Sequence, residues 1–374
     1  MGYIGVSHIE ALRRIGFVEL VAVADVNGSL AKKRAEEFAI EKCYATVEEL
    51  IADPEIMVVH NCTPTHLHNE LNEKIIRAGK HVFSEKPLAR TAEESEKMLA
   101  LLKLYPDTVT AVNFCYRMNP LIQDAKNRIA RGEIGKPNLV HGSYLQDWLL
   151  YDTDYNWRVE PAYTGVSRCV GDIGSHWMDT AQTLLGSRIT KVCADTVVVH
   201  PKRKKPLKQV ETFALNTDGG YEEIDIETED YAAVLLKFEN GASGVFHCSQ
   251  VSAGRKCFID IEVDGAKSSY HWNHETCDRM WKGNRDQNNE HIMRNPNLMT
   301  PEARQYSYLA AGHPEGWNDA FKSGLDAFYR FIRDGKRPGS DPCDFATFED
   351  GHYIMRLTEA IMQSGKEQRW ISIE

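Results

Sequence analysis

At 374 residues, 42 % hydrophobic and 26 % charged, the chain is long enough for two domains with packed cores. Its formal net charge of -10 argues against nucleic acid or an anionic membrane as a main partner. No apolar run is long enough to span a bilayer and no signal peptide opens the chain. The nine cysteines show neither a C-x-x-C pair nor a Cys/His cluster at zinc spacing, so they read as reduced cysteines of a cytoplasmic protein, and no metal site is expected.

Met1-Gly2-Tyr3-Ile4-Gly5 carries what look like the last two glycines of a G-x-G-x-x-G turn. The first glycine and the strand before it are absent, and the sequence is expected to start late; the alternative is a flexible terminus. Ser7 to Ile15 reads as a helix stopped by Gly16, and Phe17 to Ala24 as an apolar strand covered on both faces. That strand ends at Asp25, about 20 residues past the glycines, where a carboxylate accepts hydrogen bonds from ribose hydroxyls. The same charge repels a 2'-phosphate, and no arginine follows at Val26-Asn27, which favours NAD over NADP. The plainer reading of Asp25 is a turn or cap residue.

Thr46-Val47-Glu48-Glu49 is a capping box. Ile56 to His60 is a strand running into Asn61-Cys62-Thr63-Pro64-Thr65-His66-Leu67-His68, and a helix follows to Gly79. His81 to Ser84 is a strand followed by Glu85-Lys86-Pro87. Thr91 caps another helix, and Val109 to Val112 is the next strand. Strand, loop and helix repeated in this way predict a doubly wound parallel sheet, whose ligands sit at the carboxyl ends of the strands. The candidate contacts are therefore Asp25, Cys62-Thr63-Pro64, Glu85-Lys86 and Asn113.

The character changes after Pro120. A helix runs to Arg131 and a strand from Asn138 to Gln146, before an aromatic and acidic loop with Trp148, Tyr151, Tyr155 and Trp157-Arg158. Gly171 to Asp179 reads as a helix with Asp172, His176 and Asp179 on one face and Ile173, Trp177, Thr180, Ala181 and Leu184 on an apolar stripe. An imidazole one turn from a carboxylate can take a proton near neutral pH while the acid orients it. The plainer alternative makes Asp172 an N-cap, His176 a packing residue and Asp179 solvated. Beyond Gly186 strands dominate: Ile189 to Val199, Tyr231 to Phe238 and Ala242 to Cys248 about Asn240-Gly241, then Cys257 to Val263 and Ala266 to Trp272 about Asp264-Gly265. The basic run Lys202-Arg203-Lys204-Lys205 reads as a solvated loop, and residues 273–314 as irregular. Trp317 to Phe331 and Phe345 to Ser364 read as helices and Arg369 to Ile373 as a last strand. This predicts an α+β domain with helices on one side of a mostly antiparallel sheet, and an open sheet face suited to a dimer.

The stretches G-Y-I-G, V-A-V-A-D, C-T-P-T-H-L-H, E-K-P at Glu85 to Pro87, N-W-R at Asn156 to Arg158 and D-I-G-S-H at Asp172 to His176 occur in one chain. In this the chain resembles the Gfo/Idh/MocA oxidoreductases over nearly its whole length. The resemblance implies an α/β fold with an NAD-binding Rossmann domain over 1–118. It implies a substrate-binding and oligomerisation α+β domain over 119–374 with a large, mostly antiparallel open sheet, giving a homodimer or homotetramer. By resemblance Lys86, Asp172 and His176 meet at the nicotinamide: His176 as general base, Lys86 holding the reacting oxygen, Asp172 orienting His176 or binding a hydroxyl. Gly2, Tyr3, Ile4, Gly5, Asp25, Cys62, Thr63, Pro64, His68, Glu85, Lys86, Asn113, Trp157 and Arg158 become cofactor candidates. Tyr116, Arg117, Asp147, Arg158 and His313 join the catalytic three as substrate candidates, and the Lys86-Pro87 bond is expected to be cis. The implied activity is NAD-dependent oxidation of a secondary hydroxyl of a sugar, sugar derivative or cyclitol. The alternatives are glycoside cleavage by oxidation, elimination and reduction, or a non-catalytic NAD- or sugar-sensing regulator.

Overall fold

The computed structural model describes residues 2–207 and 220–373; Met1 and Glu374, the outer ends of the two expected domains, lie outside them. Its contacts divide the chain into two compact units. One runs to Cys115 and includes Trp317–Tyr353; the other is Tyr116–Gly316 with the residues from Ile354 onward. The expected single division at 118/119 thus differs in one respect: segment 317–353 packs in the first unit, where helix Trp317–Arg333 lies against helix Tyr3–Arg13.

In the first unit five short strands, β1 (Ala22–Ala24), β2 (Lys42–Tyr44), β3 (Val58–Asn61), β4 (His81–Ser84) and β5 (Thr110–Val112), are all parallel. They form two sheets, β1-β2 and β3-β4-β5, and no strand among the described residues pairs with both. β1 is shorter than the apolar run suggests, because only its last three residues find a ladder partner. β4 and β5 are buried on both faces, as a parallel sheet under helices requires. Two helices begin on the caps read from the sequence, Thr46 and Glu49 closing a capping box and Thr91 accepting from Glu94 N, and a third is capped by Asn27, which accepts from Leu30 N.

The second unit is built on a nine-stranded sheet. Its strands and those of a small side sheet are β6 (Pro137–Leu145), β7 (Ile189–Val197), β8 (Lys202–Pro206), β9 (Tyr221–Asp225), β10 (Tyr231–Phe238), β11 (Ser243–Ser249), β12 (Phe258–Gly265), β13 (Ser268–Asn273), β14 (Arg279–Asn284), β15 (Glu290–Met293) and β16 (Ile371–Ser372). The large sheet has the order β15-β14-β13-β12-β6-β11-β10-β7-β16 and is antiparallel except between β6 and β11. Helices Pro120–Ala130 and Ser175–Leu185 cover one face. Trp177 stacks on Phe246 at 4.7 Å, and its indole donates to Asp260 O. This close approach passes over Gly142, where a Cβ would stand 2.0 Å from Asp260 O and 2.9 Å from the indole nitrogen. The opposite face exposes Leu139, Leu235 and Val245 at 49 %, 48 % and 43 %.

Two expectations are corrected here. The region 273–314 is not irregular throughout, since it holds β14 and β15. Nor is the basic run a solvated loop. It is β8, paired with the acidic β9, so that Lys202 reaches Glu223 and alternate residues point inward. Arg203 is fully buried and donates to the carbonyls of Leu149, Tyr151 and Asp154 and to Asp230. Burying a guanidinium is tolerable only with this many acceptors.

Candidate functional site

In the first unit the expected residues follow strand ends, Asp25 after β1, Cys62 to Pro64 after β3, Glu85-Lys86 after β4 and Asn113 after β5, or open the first helix. Gly2 is the extended N-cap of helix Tyr3–Arg13 and has no neighbour within 4 Å of where a Cβ would be. Tyr3 is 64 % exposed, and the amides of Tyr3, Ile4 and Gly5 belong to the first turn, where a helix leaves N–H groups for an outside acceptor. A glycine N-cap with open space around it at a helix N-terminus fits a dinucleotide pyrophosphate. Asp25 follows β1 and its Oδ1 accepts the Asn27 amide at 2.8 Å, so it does shape the turn, as the plainer reading has it.

Cys62, Thr63 and exposed Pro64 form the turn after β3. His68 is buried beneath it, with Nε2 2.8 Å from Thr63 O and Nδ1 2.7 Å from Pro87 O. It therefore fastens this turn to the Glu85-Lys86-Pro87 turn. The Lys86-Pro87 bond is cis. Lys86 is partly exposed, while Glu85 points inward, bonded to His8 Nε2 at 2.9 Å and to the Asn113 amide. Glu85 and Asn113 thus occupy each other. Burial opposes charge on both members of the His8–Glu85 pair. Even so, Cys62 and Glu85 push His8 up to about 10, and His8, Asn113 and Lys86 hold Glu85 down at about 2.

In the second unit the D-I-G-S-H stretch is not one regular α-helix. Val170–Gly174 forms a π-helical turn that runs into helix Ser175–Leu185. The buried Glu229 carboxylate fixes its start, accepting from Ser167 Oγ and from the amides of Arg168 and Val170. Arg168, also buried, bonds Asp230 and donates to Gln250 Oε1 at 2.9 Å. Gln250 turns its amide outward to Asp172 Oδ2 at 2.7 Å. On the other side Arg158 Nε lies 3.7 Å from Asp172 Oδ1, with its guanidinium 4.3 Å above the Trp157 ring. Asp172 is therefore no N-cap; it is held between an amide and a guanidinium.

His176 is 6 % exposed and meets Tyr116 edge-on at 5.0 Å. Tyr116 and Tyr144 share a 2.8 Å hydroxyl contact, both beside Cys257, and His274 meets the other side of Tyr116 at 5.0 Å. Burial pushes His274 down to about 4, so it is neutral at physiological pH. Burial first, then Cys257, drives the Tyr144 phenol far up, and it stays protonated. The result is an imidazole packed against two protonated phenols, four residues along the chain from a carboxylate anchored by Gln250 and Arg158. Such a surround suits a proton transfer on a neutral hydroxyl compound.

Two of the expected substrate residues, Arg117 and Asp147, have their side chains engaged elsewhere. Arg117 and Asp179 form a buried ion pair, so Asp179 is neither solvated nor on an open face with His176, and the Arg117 guanidinium is taken up. Asp147 accepts from Gly254 N and Lys256, holding a surface turn. His313 is exposed, and its carbonyl accepts from Arg294. Sequence reasoning missed Gln250, Arg168, Glu229, Tyr144 and His274. The one visible signal was position, since Gln250 directly follows β11.

Residues 1–113 match the model described as the oxidoreductase family, NAD-binding Rossmann fold, and residues 122–271 that of the GFO/IDH/MocA C-terminal domain. The chain belongs to the Gfo/Idh/MocA oxidoreductase family. Within this family it is 31 % identical over 360 residues to levoglucosan dehydrogenase of Pseudarthrobacter phenanthrenivorans, covering 94 % of this chain and 88 % of the relative. It is 26 % identical to myo-inositol 2-dehydrogenase of Thermotoga maritima, over 100 % of this chain and 97 % of that one. A solved levoglucosan dehydrogenase in complex with NADH and levoglucosan superposes with a TM-score of 0.87 at 26 % identity, covering 100 % and 97 % of the two chains. This Gfo/Idh/MocA protein is thus an oxidoreductase acting on hydroxyl groups, with an NAD-binding Rossmann domain and a second domain on a mostly antiparallel sheet. No helix among the described residues is long and apolar enough to cross a membrane.

Proposed function

We propose that this protein is an NAD-dependent dehydrogenase that oxidises a secondary hydroxyl of a sugar, sugar derivative or cyclitol. The observation that carries the reading is the π-turn leading into His176, with Asp172 held by Gln250 and Arg158 and the imidazole set against Tyr116. NAD, when bound, accepts the hydride. His176 takes the hydroxyl proton as the carbonyl forms. Lys86 holds and polarises that oxygen, which lowers the pKa His176 works against. Asp172, fixed by Gln250 and Arg158, orients the imidazole or an adjacent hydroxyl. Gly2 to Gly5 would hold the pyrophosphate, Asp25 the adenosine ribose, the Cys62 to Pro64 turn the rest of the dinucleotide, and Trp157 the nicotinamide side.

NAD is preferred over NADP, because the Asp25 carboxylate would repel a 2'-phosphate. The names of the relatives, one for an anhydrosugar and one for a cyclitol, support a polyol-like substrate. The partly apolar open sheet face supports a homodimer or homotetramer formed through it, and the spacing of the nine cysteines, with no C-x-x-C pair, supports a cytoplasmic location.

The test is a screen of sugars, sugar acids and cyclitols with NAD and with NADP, following the reduced nicotinamide. Lys86→Ala and His176→Ala are each expected to lower turnover on the best substrate by about a hundredfold or more. NADH binding, followed by fluorescence, is expected to persist. Turnover nearly intact in both variants would overturn the mechanism.

A further inference from the structure

Asp172 is held from two sides, and both holds lead back to one buried side chain of the second unit. On one side Gln250 donates to Asp172 Oδ2 at 2.7 Å and accepts from Arg168 Nη1 at 2.9 Å. Arg168 bonds Asp230 Oδ1, and the same oxygen accepts from Arg203 Nη2 at 2.8 Å. On the other side Arg158 Nε lies 3.7 Å from Asp172 Oδ1. Arg158 belongs to the aromatic loop after β6, and Arg203 fastens that loop too. Its Nη2 donates to Leu149 O at 2.9 Å, and its Nη1 to Tyr151 O at 2.8 Å and Asp154 O at 3.0 Å. Thr228 ties the two arms together, its hydroxyl accepting from Arg168 Nε at 3.3 Å and donating to Val159 O at 3.1 Å. Leu149 and Val159 of the loop are buried in one cluster with Ile226, against which Ile224 of β9 packs.

We propose that Arg203, on the small β8-β9 sheet, is a positioning residue for the dehydrogenase reaction, setting Asp172 by fixing its amide anchor and its guanidinium anchor at once. The inference rests on the role given to Asp172 above. Three carbonyls and a carboxylate take all four N–H groups of the two terminal nitrogens of Arg203. A guanidinium offers those donors in one plane with fixed directions, whereas a lysine ammonium has three on a flexible stem. Arg203 has no exposed surface, so it cannot exchange any of these bonds for water, and a shift of the loop away from Asp230 would strand buried donors. Loop and Asp230 are therefore constrained to move as one body, and with them Arg158 and Gln250. A carboxylate that orients an imidazole or a substrate hydroxyl needs such stiffness, because a misplacement of about 1 Å can cost about a hundredfold in rate.

The experiment is a double-mutant cycle in the full chain, comparing wild type, Arg203→Lys, Asp172→Asn and the double variant on the best polyol substrate with NAD. Slow variants are read over single turnovers with enzyme in excess. Arg203→Lys is expected to lower kcat about tenfold or more and to leave the NADH dissociation constant within about twofold. In the Asp172→Asn background the same change is expected to cost less than about threefold, because the carboxylate it acts through is gone. An arginine that only supports the fold would cost the same in both backgrounds. Thr228→Val, close in shape, cuts the tie between the arms and carries the same cycle if Arg203→Lys folds poorly by circular dichroism. Losses that multiply fully in the double variants overturn the proposal, as does an unaltered kcat in both Arg203→Lys and Thr228→Val. Wild-type turnover in Asp172→Asn would instead overturn the role given to Asp172, and the inference with it.

Discussion

Gln250 shows how much of the reaction centre depends on a residue with no motif. Its side chain is fully buried, accepts from Arg168 and donates to Asp172, so it is an orienting link between a buried charge network and the carboxylate beside His176. A hydrogen bond to a charged partner contributes about 1.5–3 kcal/mol, and Gln250→Met keeps the volume while removing it. That change is expected to lower kcat/KM by roughly tenfold to a hundredfold and to leave the NADH dissociation constant unaltered. Equal losses in cofactor binding and turnover would instead point to general disruption. At this scale the sequence was legible where the chemistry is spelled contiguously. Glu85-Lys86-Pro87 and Asp172 to His176 each announce themselves within five residues. Arg117 and Asp179 are 62 positions apart, and only folding reveals that each occupies the other.

At the scale of elements, the His8–Glu85 pair ties helix Tyr3–Arg13 to the end of β4. Glu85, held down from 4.5 to about 2, contributes fully above pH 4.5 and loses that contribution as pH falls through about 2. His8, pushed up from 6.5 to about 10, contributes fully below pH 6.5 and loses it as pH rises through about 10. The pair therefore stabilises the fold most between pH 4.5 and 6.5. Glu85→Gln is expected to flatten the dependence of Tm on pH along the acid limb and to weaken the alkaline limb only in part, since Cys62 still raises His8. A wild-type Tm as high at about pH 10 as at about pH 5.5 would count against the pair. Caps and alternating strands were readable because their signals are local. β8 was misread because its charged residues lie opposite an acidic strand about 20 residues away, and loop and strand share that composition. The π-turn was read as ordinary helix because nothing in residue spacing marks the widened turn.

For the whole molecule, the two-module plan was visible in the change of pattern after Pro120, while the return of segment 317–353 to the first unit was not. An amphipathic helix declares that it has a buried face, not what it is buried against. The NAD-binding assignment has a global readout. A ligand that binds only the folded protein at about a hundred times its Kd stabilises it by about 2.7 kcal/mol. NADH at millimolar concentration is therefore expected to raise Tm by several degrees and NADPH by less, as scanning fluorimetry would show. Equal shifts would remove the role proposed for Asp25.

The single parallel pairing in the large sheet has a price in time. β6 sits at its centre, yet both neighbours, β11 and β12, lie about a hundred residues further along the chain. At translation rates of about 5–20 residues per second, the middle of the sheet waits roughly 5–20 s after synthesis with two unsatisfied edges. Newborn chains are thus most prone to clump in that interval, and slowing the ribosome between these strands would cost yield of soluble protein without altering a finished molecule.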